Sequence, residues 1–270
     1  MDIRQGDCLE LMKTLPDKSI DLMICDLPYG GETDCKWDIQ INLNEFWNEF
    51  KRIRKSKRTA CIHFCSTKFG YNLISSNPDM FKMDMVWKKR NKTGGLQSKH
   101  RPLRNHEMIY FFYEQSPKYN RDKYHKRIEP IKMEEDTKIK KHKISTKECN
   151  TLGTTSKGEC MGGDKYIMEL KQKGEKSLNG RKRYDPELPV SIIECEKIYR
   201  GKRNHQTEKP QDILEFLLKY WSNENDTIID PTMGGGSTGV ACRNLNRKFI
   251  GFELDKKIFD KAKKRIHEKK

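Results

Sequence analysis

The sequence predicts an α/β fold built on a doubly wound, mostly parallel sheet. Two observations carry that reading. Ile20–Asp26 (IDLMICD) and Thr59–Cys65 (TACIHFC) are continuous apolar runs, as expected of strands buried on both faces. Near the other end, Thr227–Asp230, a glycine turn at Met233–Gly236, a helix over Ser237–Asn246 and a strand at Lys248–Leu254 follow one another. An acid, Glu253, closes that last strand, which completes the pattern of a nucleotide-binding half-sheet.

Taken in order, Met1–Gln5 reads as a short extended segment and Leu9–Thr14 as a helix. Leu43, Phe46, Trp47, Phe50 and Ile53 fall at helical spacing and predict an amphipathic helix. Met83–Lys88 and Glu107–Glu114 read as two further strands. Between them lies a basic, glycine-containing loop, Arg90–Arg104, which carries no acid. From Ser116 to Pro189 the apolar periodicity fades and Lys, Glu, Gly and Ser dominate. That stretch is too long for a bare loop and predicts an inserted subdomain with a basic run at Lys171–Arg183. Ile213, Leu214, Leu217, Leu218 and Trp221 line one helical face, and Ile258, Phe259, Ala262 and Ile266 stripe a last helix.

Composition narrows the function classes. The 270 residues suit one large α/β domain with an insertion. No apolar run approaches the ~18–20 residues that cross a bilayer, and the N-terminal segment has no signal-peptide h-region. Nine cysteines without a framework spacing read as reduced thiols, so a cytoplasmic protein is expected. With 55 Lys+Arg against 39 Asp+Glu the net charge is +16, which attracts polyanions. Nucleic acid is the commonest such partner, and an anionic membrane surface is the alternative.

Two constellations carry chemistry. After the strand ending at Asp230, the run Asp230-Pro231-Thr232-Met233-Gly234-Gly235-Gly236-Ser237-Thr238 lets the backbone approach a ligand closely. Glu253, one strand later, can accept hydrogen bonds from both hydroxyls of a ribose. The loop is neither GxGxxG nor a P-loop, so a ligand with a ribose and no phosphate fits, and S-adenosylmethionine (SAM) is one. The second constellation is Asp26-Leu27-Pro28-Tyr29, at the carboxyl end of a buried strand, where α/β sheets bind ligands. Asp26 and the Leu27 carbonyl, held by Pro28, can each accept one hydrogen of an amino group while Tyr29 stacks on a planar base.

Together these motifs resemble the β arrangement of amino-directed DNA methyltransferases, in which (D/N/S)PP(Y/F/W) precedes the SAM loop. DLPYG most resembles phage and prophage members, with Leu27 in place of the first proline. The resemblance covers Met1–Pro117 and Val190–Lys270. It implies a circularly permuted, seven-stranded, Rossmann-like SAM-dependent sheet over 1–117 and 190–270, with a target-recognition region at 118–189. It further implies that Asp7 and Cys8, in Gly6-Asp7-Cys8, approach the SAM adenine. His205, Thr207 and Lys209, in HQTEKP, would lie beside its methionine end, with Gln206 replacing a proline. Asp26, Asp230, Pro231, Gly234, Gly235, Gly236, Thr238 and Glu253 complete the implied cofactor set, and Asp26, Leu27, Pro28 and Tyr29 the catalytic one.

The activity implied is methyl transfer to adenine N6 of double-stranded DNA by direct attack from a flipped-out base, with a homodimer as the common assembly. No proline precedes a cysteine, so the Pro-Cys thiolate of cytosine-C5 enzymes is lacking. Cytosine N4 offers the same amino geometry and is the nearest rival; a protein glutamine or RNA methylase, or a non-catalytic SAM or DNA module, stands further off. Arg90–Arg104 is expected to contact phosphates and help open the duplex. Cys61, His63 and Cys65 alternate on one strand and read as core packing, with no metal.

Overall fold

The computed structural model describes residues 1–30, 40–128, 183–195 and 208–268. Ten strands appear among them: β1 (Asp2–Gln5), β2 (Leu22–Cys25), β3 (Ala60–Cys65), β4 (Phe81–Thr93), β5 (Arg104–Phe112), β6 (Lys126–Ile128), β7 (Arg183–Asp185), β8 (Ile192–Cys195), β9 (Thr227–Asp230) and β10 (Lys248–Glu253). The helices are α1 (Cys8–Lys13), α2 (Leu43–Ile53), α3 (Thr67–Ser76), α4 (Arg121–Tyr124), α5 (Gln211–Trp221), α6 (Ser237–Asn244) and α7 (Lys256–His267).

Eight strands form one sheet in the order β1-β10-β9-β2-β3-β5-β4-β8. The first five run parallel; β5 is antiparallel to both its neighbours, and β8 is parallel to β4. The architecture is the mostly parallel α/β sheet expected, with one strand more than the seven anticipated. The addition is β8. It carries only one buried residue, Cys195, so no apolar run announces it. β9 and β2 are the third and fourth strands of the sheet, and the strand order reverses between them.

The continuous apolar runs behave as their composition dictates. All four residues of β2 and all six of β3 are buried. Helix α2 is capped by Asn42, whose side chain accepts from the amides of Asn44 and Glu45, and it buries Phe46, Trp47, Phe50 and Ile53. Helix α3 was not anticipated. Its cap, Ser66, accepts from the Phe69 amide, and only Phe69, Gly70 and Leu73 are buried, too few to make a clear stripe.

Two strand boundaries are corrected. β4 continues five residues past Lys88 to Thr93, and β5 begins at Arg104, so the basic segment is partly strand. The turn itself holds a single 3-10 element, Gly95–Gln97. Cross-strand pairing, ending in Thr93↔Arg104, extends both strands beyond what local propensity favours.

Residues divide into two compact units, Met1–Arg121 with Pro189–Lys270, and Asp122–Leu188. In the second, β6 and β7 pair as an antiparallel ribbon, and His125 Nδ1 lies 2.7 Å from the Pro186 carbonyl. Residues 129–182, including nearly all of the basic run Lys171–Arg183, lie outside the described residues. No helix among the described residues is long and apolar enough to cross a membrane.

Candidate active site

The carboxyl ends of β1, β2, β9 and β10 open onto one cavity of about 440 Å³, within the range of small-molecule sites. It sits at the reversal of strand order, where open α/β sheets bind ligands. Asp26, Leu27, Pro28 and Tyr29 form one side of it; Asp230, Pro231, Gly234, Gly235, Thr238 and Glu253 form another; Asp7 and Cys8 complete the wall.

Burial lifts the pKa of Asp26 above the usual carboxylate range. The Lys209 ammonium opposes that lift, the nearby Glu107 adds to it, and bonds from Lys209 and Tyr29 lower it. Lys209 Nζ donates to Asp26 Oδ2, and the Tyr29 hydroxyl donates to Oδ1 at 3.1 Å. Phe69 of α3 backs the Tyr29 ring, stacked at 5.1 Å between centroids. The Leu27 side chain is buried in the core, 1% exposed.

The second loop is organised by Asp230. Its two carboxylate oxygens accept from the Thr232 amide at 3.1 Å and the Thr238 hydroxyl at 2.6 Å. Burial nevertheless raises its pKa to about 7. Glu253 is also lifted by burial, against amide bonds from Asp255, Gly234 and Leu254. The Met233 amide donates to the Phe252 carbonyl at 2.9 Å, which ties the glycine turn to β10. The two motif loops are joined directly: the Thr232 hydroxyl donates to the Asp26 carbonyl at 3.1 Å.

Several expected site residues have partners that the sequence reading did not give. Lys209, expected beside the SAM methionine, is bonded to Asp26 and lies 3.6 Å from Glu107. Burial disfavours its charge, but those two carboxylates prevail and hold its pKa above the ordinary lysine value. Gly236 does not line the cavity. It caps α6 at φ 76°, and a Cβ there would stand 2.9 Å from Ile266 Cδ1. Asp7 lines the cavity and also caps α1, accepting from the amides of Leu9 and Glu10. Burial pushes the neighbouring Cys8 thiol up to about 12. His205, Gln206 and Thr207 lie outside the described residues.

Four participants escaped the sequence. Trp87 and Glu107 line the cavity from β4 and β5. Lys89 is bonded to Glu107 and lies over the Trp87 ring, 4.8 Å from its centroid. Arg265 of α7 pairs with the buried Glu208, and donates to the Gly235 carbonyl at 2.9 Å and to Ser237 Oγ at 3.1 Å. The last helix thereby holds the glycine turn from behind. None of these has a local motif; each becomes visible only when distant segments meet.

The cavity's lining holds six acids, Asp7, Asp26, Glu107, Glu208, Asp230 and Glu253, against one lysine. In a chain of net charge +16 this is an anionic pocket, suited to a cationic or amino-bearing ligand and ill suited to a phosphate. Beneath it, Cys61 and His63 are joined by Cys25 of β2 and not by Cys65. The Cys25 and Cys61 sulfurs lie 3.1 Å and 3.2 Å from Nδ1 and Nε2 of His63. The imidazole's polar atoms thus find partners within an otherwise apolar core.

A family model described as DNA methylase, N6_N4_Mtase, matches residues 20–264. The chain belongs to this DNA methylase family. Among its relatives, this DNA methylase is 27% identical to the type II methyltransferase M.HinfI of Haemophilus influenzae, over 98% of the chain and 68% of that enzyme. It is 23% identical to M1.MboII of Moraxella bovis, over 96% of the chain and 94% of the relative. Its fold is shared with M1.HpyAVI, solved as a SAM complex, at TM-score 0.57 and 21% identity, covering 98% and 99% of the two chains. It is also shared with the cytosine-N4-specific PvuII DNA methyltransferase, at TM-score 0.55 and 15% identity over 98% and 86%.

Proposed function

We propose that this DNA methylase transfers a methyl group from S-adenosylmethionine to the exocyclic N6 amine of adenine in double-stranded DNA. The observation that carries the proposal is the junction of the two loops: Asp26 and Tyr29 face the same cavity as Gly234, Gly235 and Glu253, with Thr232 bonded to the Asp26 carbonyl. The residues fit the donor. The anionic lining favours a sulfonium, Glu253 suits a ribose, and no lysine-bearing phosphate loop is present among the described residues.

When bound, the donor supplies an electrophilic methyl on a positively charged sulfur. The protein's task is to place a poor nucleophile in line with it. An adenine amine is weakly nucleophilic because its lone pair is delocalised into the ring. Asp26 and the Leu27 carbonyl each accept one amino hydrogen, which favours a pyramidal nitrogen with a localised pair. Tyr29 stacks on the extruded ring and offsets part of the stacking lost from the duplex. Asp26, beside the nitrogen, would also stabilise the positive charge that develops there as the N–C bond forms and the S–C bond breaks; S-adenosylhomocysteine would leave, and the surplus amino proton would pass to solvent. Residues 118–189 supply target recognition in this reading, and Arg90–Arg104 meets the phosphates. The free, buried thiols of the described cysteines accord with a reducing, cytoplasmic setting.

The test is Asp26→Ala, assayed with labelled SAM on unmethylated DNA. Loss of transfer with an unchanged thermal transition is expected; turnover at the parent rate would refute the assigned role. Mass spectrometry of the product nucleosides decides between N6-methyladenine, expected here, and N4-methylcytosine.

A further inference from the structure

β5 runs antiparallel to both β3 and β4, so β4 leaves the sheet at the same edge as β2 and β9. Trp87 and Glu107 are cross-strand partners, and both line the cavity. The β4–β5 hairpin therefore starts as a wall of the active site and continues outward. The outermost pair, Thr93↔Arg104, lies three β5 residues beyond Glu107, about 10 Å at ~3.4 Å per residue.

Every residue from Arg90 to Arg104 is exposed. The turn stands in open space: Gly94 takes φ 89°, and a Cβ on Gly94 or Gly95 would meet nothing within 4 Å. Next to these glycines stands Leu96, 102% exposed. Around it are Arg90, Lys92, Lys99, Arg101 and Arg104. Leu103, at the base of the turn, is 40% exposed as well, and an exposed leucine needs no explanation by itself. Leu96 sits in the turn of a cationic hairpin rooted in the cavity wall at Trp87 and Glu107. The cations draw the arm to a phosphate surface, where a leucine has nothing to bind except the bases beneath.

We propose that Leu96 is a wedge that enters the base stack of duplex DNA as the target nucleotide turns into the active site. The inference rests on the DNA-methylation reading and adds to it the group that holds the duplex open. The reach beyond the pocket exceeds the groove depth of B-DNA, about 8 Å. Apolar side chains of this kind unstack base steps in other protein–DNA contacts, and the glycine shoulders let the apex enter without a steric barrier. The basic flanks grip the phosphates on either side.

The experiment uses the full chain and a duplex carrying its site, once mapped by methylation-aware sequencing. Leu96→Gly is expected to lower kcat/KM for duplex methylation roughly tenfold or more, because opening the pair is then unaided. On a duplex with an abasic position opposite the target base, the variant should come within about twofold of the parent, since no pair remains to be opened. Leu96→Met should behave as the parent on both. An undiminished rate on the intact duplex, or a loss equally large on the abasic one, would overturn the proposal. A parent enzyme that methylates neither duplex would instead remove the DNA-methylation reading on which the inference stands.

Discussion

Lys209 bonds to Asp26 across 183 residues of chain, and Glu107 stands 3.6 Å from the same ammonium. In the proposed reaction Asp26 is an acceptor, so transfer is expected to be lost as pH falls through its pKa. Removing the ammonium removes the charge that opposes its upward shift. In Lys209→Met the acidic limb of kcat/KM, read with labelled SAM between about pH 5 and 9, is expected to move to higher pH. Lys209→Arg should return most of the limb to its place. A limb unmoved in Lys209→Met would mean that Asp26 is not the titrating group.

Asp230 gives a stability signature of opposite origin. Its folded pKa of about 7 lies above the ordinary carboxylate value near ~3.9, so the folded state holds the proton more tightly than the unfolded chain. Stability therefore falls as pH rises from about 4 through about 7. Asp230→Asn keeps both bonds, accepting from the Thr232 amide and donating to Thr238, without the ionisation. Its melting temperature should exceed the parent's at about pH 8, with the gain vanishing near pH 4–5. An equal difference at both pH values would show that the carboxylate does not titrate there.

Arg265 links the last helix to the glycine turn. Its partner Glu208 has a side chain only 1% exposed, so Arg265→Ala strips a deeply buried carboxylate of its counter-charge. Destabilisation on the order of 2–4 kcal/mol is expected in denaturant titration. Weaker SAM binding by calorimetry should accompany it, because the Gly235 carbonyl loses its guanidinium. Adding Glu208→Gln should recover part of the stability, whereas strict additivity would mean that the pair does not couple.

The hairpin's charges are separable from its apex. Arg101→Glu should weaken DNA binding across all sequences and flatten the slope of log affinity against log salt by about one unit. An unchanged slope, measured by fluorescence anisotropy, would place Arg101 away from the phosphates. Leu96→Gly should leave that slope untouched.

Much of this site could be read from the chain because its acids end apolar runs. Asp26 and Asp230 sit where β2 and β9 reach the ligand edge, and Glu253 closes β10. A strand that ends in an acid advertises its position locally. Trp87 and Glu107 do not: they lie inside strands, and only the Trp87↔Glu107 register brings them together at the pocket. Lys209 matched a motif, yet its partner was decided by tertiary packing. Gly236 looked like a ligand residue because it belongs to a triple glycine, but Ala262 and Ile266 require its missing side chain. β8 and α3 were silent for want of a patterned apolar face.

The Thr232–Asp26 bond, spanning 206 residues, and the pairing of β2 with β9 bear on how the molecule is made. On the ribosome, β2 and β3 emerge early, with both faces apolar and one side of β2 still lacking its neighbour. That neighbour is far along the chain, Thr232 following Asp26 by 206 residues. Until β9 is made, the nascent chain carries an incomplete sheet edge at β2, a state that invites chaperone capture or mispairing. Under the proposed reaction, a product cut before β9 would carry Asp26 and Tyr29 but lack the strand whose loop is bonded to them.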